Sequence, residues 1–177
     1  MRLIILTLSL TFCYAIQASA QAITPKKQLR QQLIRAINNS NTTDSMYNSL
    51  IAMPVKSPVM VGYIGTLQAL KAKHTWNPYS KMKQVANAEK TFEKAIAADP
   101  HNLELRYLRY SVEHNLPKIL GQSKNMDADR QEMLKQIAQH TTEDRELVIN
   151  VINYLLQNGD HTAGEKTDLH KQLAALK

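Results

Sequence analysis

Cysteine is almost absent from this chain of 177 residues. The one cysteine, Cys13, lies in the apolar N-terminal segment. If that segment is removed as a leader, no thiol remains for a disulfide, a thiolate nucleophile or a thiolate metal site. Packing of the core must then stabilise the fold. A domain of about this length buries roughly 68–70% of the surface that its unfolded chain exposes, which is sufficient.

Familiar signatures of catalysis are missing too. The sequence has no GxSxG nucleophile elbow, no glycine-rich phosphate loop and no HExxH pair. Its six histidines are scattered, and none shares a short metal-type spacing with another. We therefore expect a non-enzymatic protein with no catalytic residues, no metal and no cofactor. The alternative, an unrecognised hydrolase, would need a histidine and an acid together in a deep pocket.

The N-terminal segment has the layout of a secretory signal peptide. A single charge at Arg2 precedes the apolar run Leu3–Ile16, and small residues follow up to Ala20. An uncleaved anchor is the alternative, although the run is short for a bilayer crossing. We expect residues 1–20 to be removed and residues 21–177 to form a single exported domain, periplasmic or extracellular. No later apolar stretch is long enough for a transmembrane segment.

The chain is basic. Lysine and arginine number 22 against 15 acidic residues, a formal charge of +7. Arg2 would leave with the leader, so the mature chain keeps 21 basic residues against 15 acidic ones, or +6. We expect this excess of basic residues to be spread along the chain, with two small clusters: Lys26, Lys27, Arg30 and Arg35, and Lys71, Lys73, Lys81 and Lys83. An exported protein seldom meets nucleic acid, so the charge favours an acidic protein or an anionic envelope polymer. A solvated helix face is the alternative.

Helical periodicity dominates and β-type alternation is nearly absent, which predicts an all-α fold of about seven to eight helices. Thr24 and Ser57 are expected N-caps, each followed by a proline at the first helical position. The segment 147–156 is apolar on so many faces that we expect it in the centre of the core. The predicted helices span about residues 25–37, 45–53, 58–73, 80–99, 102–115, 126–139, 145–157 and 165–176.

The segment AEKTFEKAIAADP, residues 88–100, carries two alanines, an aromatic and a proline at spacings of four, three and five: Ala88, Phe92, Ala95 and Pro100. It resembles the second helix of a tetratricopeptide repeat (TPR). Gly65 fits the small position of the first helix if the connection is 11 residues longer than in the family, about residues 72–82. The resemblance implies a TPR-like hairpin at about residues 58–100, within a compact bundle of antiparallel helical hairpins.

A wider resemblance rests on GYIG, WNPYSK, the repeat-like segment and LELRYLRYSVEHNLPKILG. Together they are similar to a set of short exported bacterial proteins of unknown function, over about residues 58–130. This resemblance implies a bacterial source and the helical hairpin fold. It implies no activity and no catalytic residues.

Trp76 and Tyr79 are candidate partner-binding residues in the expected long connection. Exposed, they would offer a large contact area at little entropic cost. Folded back over the hairpin, Trp76 would instead bury on the order of 200 Å². We favour burial of Trp76, because a lone large aromatic side chain in a small protein is usually buried for the most part.

Arg106 and Arg109 are a second candidate pair, one helical turn apart. They could fork onto a carboxylate or phosphate of a partner. We favour an internal pair with Glu113, four residues after Arg109. The predicted function is protein–protein interaction in the cell envelope, through these four residues and the concave side of residues 58–116. The alternative, an anionic envelope ligand, predicts binding that weakens steeply with salt.

Overall fold

The computed structural model describes residues 25–117, 124–139 and 144–176. Within these residues every regular element is an α-helix and there is no strand, which confirms the predicted all-α fold. The expected signal peptide and the expected cap Thr24 lie outside the described residues. The eight helices of the described ranges are α1 (Pro25–Ala36), α2 (Ser40–Ala52), α3 (Pro58–His74), α4 (Pro78–Ala98), α5 (Leu103–Asn115), α6 (Met126–Ala138), α7 (Arg145–Asn158) and α8 (Ala163–Ala175).

The chain divides into two compact units, Met1–Gln32 and Leu33–Lys177. The boundary falls inside α1. The second unit contains α2 to α8 and holds the residues of the candidate sites described below.

The hairpin of α3 and α4 has the most extensive helix contact of the second unit. Ser57 caps α3 by accepting the Met60 N–H at 3.3 Å, with Pro58 in the first turn, as predicted. Where the helices approach, a Cβ added to Gly65 would lie 3.2 Å from the Phe92 ring. The glycine therefore lets the aromatic side chain of α4 lie directly against the backbone of α3.

The connection between α3 and α4 is only three residues long, so the predicted long loop over residues 72–82 is wrong. α3 continues through His74, and α4 begins at Pro78. The side chain of Asn77 accepts the Ser80 N–H at 3.2 Å, and α4 therefore starts two residues before its predicted beginning at residue 80. The extra residues lengthen the two helices.

The residues between the first two predicted helices, 38–44, are mostly helix as well. Asn39 caps α2 by accepting the Thr42 N–H at 2.9 Å. The buried hydroxyl of Thr43 donates to the Ala36 carbonyl at 2.8 Å. Local capping by asparagine and threonine therefore starts α2 at Ser40, five residues before its predicted beginning.

A second apolar cluster lies around α7. Five of its side chains are buried, Leu147, Val148, Val151, Ile152 and Leu155, among residues of α5, α6 and α8. This confirms the prediction that the segment is central in the core. Tyr154 lies at the edge of the cluster, with its ring 5.3 Å from that of Tyr107 and its hydroxyl 3.0 Å from Asn115 Nδ2.

α5 is joined to its neighbours by buried polar bonds. The Tyr63 hydroxyl of α3 donates to Glu104 of α5 at 2.7 Å, and both side chains are buried. Paired in this way, the buried carboxylate avoids the cost of an unsatisfied polar group. Over the described ranges, no helix has both the length and the apolar character that a membrane crossing requires.

Candidate functional site

Three large apolar side chains stand in solvent where α3 passes into α4. Trp76 is 98% exposed, Tyr79 77% and Met82 61%. We call these three residues the tip patch. The expectation that Trp76 folds back over the hairpin is therefore wrong. Thr75 and Asn77 are extended and α4 starts immediately afterwards, so the short connection leaves no chain with which to turn the indole inward.

The first two turns of α4 place Tyr79 and Met82 three residues apart on one side of the helix. The next turns bury Val85 and Ala88 against the hairpin. Sequence reasoning identified Tyr79 and missed Met82. The spacing of three from Tyr79, at the start of a helix, is the signal that identifies it.

Polar contacts fix the end of α3 that carries the tip patch. Lys73 Nζ donates to the Ile37 carbonyl at 2.8 Å and to Asn38 Oδ1 at 3.1 Å. Lys71 pairs with Asp44 and lies 5.0 Å from the centre of the Tyr47 ring. These contacts join α3 to the start of α2, so the tip patch stands on a braced hairpin.

The sequence on either side of the tip patch is basic. From Ser45 to Ala88 the chain has five lysines and no acidic residue. Residues 21–88 contain nine basic residues and one acidic residue, Asp44, a formal charge of +8. Residues 89–177 contain 12 basic and 14 acidic residues, a formal charge of −2. The basic excess is therefore concentrated in residues 21–88, and the prediction that it is spread along the chain is wrong.

Arg106 and Arg109 lie in a different environment. Both guanidinium groups bind the carboxylate of Asp129, which is completely buried in the first turn of α6. Arg109 donates from Nε to Oδ2 and from Nη2 to Oδ1, each at 2.7 Å, and Arg106 donates from Nη1 to Oδ1 at 2.8 Å. We call these three residues the buried ion cluster. The internal partner of the arginines is Asp129 and not the expected Glu113.

The arginines' remaining contacts favour a structural role. Arg106 also donates from Nε and Nη2 to the Pro100 carbonyl, at 2.9 and 2.7 Å. The side chain of Arg109 is 8% exposed. Such a guanidinium offers little to a partner, so we leave both arginines out of the proposed contact surface. No local pattern identifies Asp129, because it lies 20 residues after Arg109 and beyond a connection.

Glu113 holds the start of α6 instead. It accepts the backbone N–H of Asn125 at 3.1 Å and the Asn125 side-chain amide at 2.7 Å. Burial raises the pKa of the Glu113 carboxyl, and the hydrogen bonds from Asn125 and the charge of Arg109 partly offset this increase. Glu113 also lines a shallow groove with Phe92 and Arg109 that has room for about one water molecule. This groove is too small for a substrate pocket.

A buried histidine lies near an acid at the junction of α7 and α8. The buried His161 ring donates from Nε2 to the Leu155 carbonyl at 2.9 Å, and its Nδ1 lies 3.9 Å from Glu165. Glu165 itself accepts the Thr162 N–H at 2.8 Å and completes a capping box for α8. The arrangement satisfies two helix ends. Across the described ranges, no group of three or more histidine or acidic side chains is placed to hold a metal ion.

The structure therefore separates the four predicted site residues into two pairs. Trp76 and Tyr79 are exposed together in the tip patch, whereas Arg106 and Arg109 meet at Asp129 between α5 and α6. Only the first pair is available to another molecule. Comparison with known proteins found no family model, no curated protein and no solved structure that matches this chain.

Proposed function

We propose that this chain is an exported, non-enzymatic, TPR-like helical protein that attaches to a component of the cell envelope through its tip patch. One observation carries the proposal: Trp76, Tyr79 and Met82 are exposed together on a braced hairpin. Exposed tryptophan and tyrosine supply most of the binding energy in many contact surfaces. Holding them on a rigid element reduces the entropy that binding costs.

Two classes of partner fit this surface. Protein–protein interaction, the function predicted from the sequence, requires a partner with a cavity that receives the tip patch. An anionic envelope component requires negative charge. The five lysines and the absence of acid from Ser45 to Ala88 favour an anionic partner. We therefore propose that attachment combines aromatic contact with electrostatic attraction.

The test is retention of the protein on isolated cell envelopes. The chain would be produced from Gln21, so that the apolar leader cannot contribute to binding. Wild type is compared with the double variant Trp76→Ala/Tyr79→Ala and with the control Val55→Ala. Val55 is 83% exposed and lies before the start of α3, whereas the tip patch lies after the end of α3. The control therefore removes an exposed apolar side chain at the opposite end of the same helix.

We expect wild type and Val55→Ala to be retained and the double variant to be released. Circular dichroism must show the same helix content for all three proteins. Retention should weaken as salt is raised, because added ions screen exposed charges. Equal retention of the folded double variant and the wild type would refute the proposal. Loss of retention after protease treatment of the envelopes would identify a protein as the partner.

A further inference from the structure

We infer that the tip patch binds the surface of an anionic phospholipid bilayer, with Trp76 and Tyr79 at the level of the lipid headgroups. The inference rests on the proposed function, because it takes the tip patch as the contact surface. Tryptophan and tyrosine combine a large apolar ring with one polar group. Both residues are therefore enriched where the hydrocarbon of a membrane meets its headgroups.

The shape of the site favours a bilayer over a protein. The tip patch lies on a hairpin end of three connecting residues, and Trp76 is 98% exposed, so no part of the chain that the structure describes surrounds the indole. A folded partner would need a preformed pocket for this protruding side chain. A bilayer surface yields around an inserted ring and needs no complementary pocket.

The backbone at the tip is suited to a surface with little water. Asn77 accepts the Ser80 N–H at its side chain, at 3.2 Å, and the Lys81 N–H at its backbone carbonyl, at 2.9 Å. Pro78, at the first position of α4, has no N–H to satisfy. Because an unpaired N–H is costly near hydrocarbon, these bonds lower the cost of bringing the start of α4 to the headgroup region.

The basic residues near the tip patch favour anionic lipids over neutral ones. Lys73 and Lys83 are exposed on either side of the connection, and Lys81 is half-buried. The nearest acid before the connection, Asp44, is paired with Lys71, and the nearest acid after it, Glu89, is paired with Lys124. Basic residues next to an inserted aromatic group strengthen binding to anionic headgroups and do little for neutral ones. The aromatic and basic residues together therefore fit an anionic membrane surface.

The chain contains a single tryptophan, so its fluorescence reports on the tip patch alone. The protein produced from Gln21 would be titrated with vesicles of phosphatidylcholine, and with vesicles of equal parts phosphatidylcholine and phosphatidylglycerol. We expect the second kind to shift the emission of Trp76 to the blue and to protect it from acrylamide quenching. Added salt should reverse both effects.

Three variants keep the tryptophan and test the two parts of the contact. Tyr79→Ala/Met82→Ala should bind phosphatidylglycerol vesicles more weakly, and the control Val55→Ala should bind as wild type. Lys81→Gln/Lys83→Gln should lower the affinity by about fivefold for each lysine replaced, roughly 25-fold in all. Unchanged helix content by circular dichroism would show that these effects are local.

An unchanged emission with both kinds of vesicle would overturn the inference, and so would equal binding to both. If the protein were still retained on envelopes through the tip patch, the proposed function would stand with a protein or an envelope polymer as the partner. If envelope retention did not depend on the tip patch, the proposed function itself would fail.

Discussion

The buried carboxylate of Asp129 should be a major source of stability, and Asp129→Asn tests this. The carboxylate accepts three hydrogen bonds from Arg106 and Arg109, at 2.7 to 2.8 Å. Asparagine keeps one acceptor oxygen and turns an amide N–H toward an arginine donor. Because arginine stays charged, the change leaves a buried cation without its counter-charge. We expect the free energy of unfolding to fall by about 3–5 kcal/mol.

Urea denaturation followed by far-ultraviolet circular dichroism would measure the loss. Fluorescence is unsuitable, because Trp76 is already exposed in the folded protein. In thermal unfolding the same loss corresponds to a decrease in Tm of roughly 6–20 °C for a domain of this size. Helix content before denaturation should stay close to that of wild type.

Asp127→Asn provides the matched control. Asp127 and Asp129 both lie in the first turn of α6, but Asp127 is exposed. Each substitution removes a negative charge from the same helix N-terminus, an effect of about 0.3–1 kcal/mol. The difference between the variants therefore isolates the buried ion cluster. If Asp129→Asn were within about 1 kcal/mol of Asp127→Asn, the buried ion cluster would not be a major source of stability.

Three further changes test other parts of the structure. Gly65→Leu should lower the free energy of unfolding by about 1–3 kcal/mol in urea denaturation, because the new side chain would collide with the Phe92 ring. Gly164→Leu should cost far less, because a Cβ at the exposed Gly164 would lie 4.0 Å from Thr162 Oγ1, an ordinary contact distance. The pKa of Glu113 is raised in the folded protein, so the protonated carboxyl adds stability below the usual pKa of 4.5, and this stability is lost as pH rises through the pKa of the folded state. Glu113→Gln should therefore gain stability relative to wild type as pH is raised from acidic to neutral. Burial raises the pKa of Tyr154 to about 12, so folded wild type loses stability as pH rises from 10 through 12, and Tyr154→Phe should lose less in the same titration.

Local signals explain what the sequence predicted correctly. The cap Ser57, followed by Pro58, acts within three residues along the chain, so it can be predicted without knowledge of the fold. The apolar faces of α7 indicated its central position for the same reason. The helix-capping role of Asn77 was not predicted. Asn77 starts a helix where the TPR resemblance implied a loop.

Partners from distant parts of the chain were not predictable in this way. The i, i+4 rule favoured Glu113 as the partner of Arg109, but Glu113 binds Asn125, and Asp129 reaches the arginine from the next helix. The general preference of tryptophan for the interior also failed at Trp76. The three-residue connection between α3 and α4 keeps the Trp76 side chain exposed, and the length of that connection is set by the fold.

The order of helix contacts has a consequence for folding. In the second unit, α3 packs against α2, α4 and α5, and α5 packs against α6, so close partners are at most two helices apart along the chain. Short loops cost little entropy to close, and helical proteins with such local contacts fold in microseconds to milliseconds. We expect folding on that timescale, with the apolar faces of the hairpins exposed to aggregation only briefly.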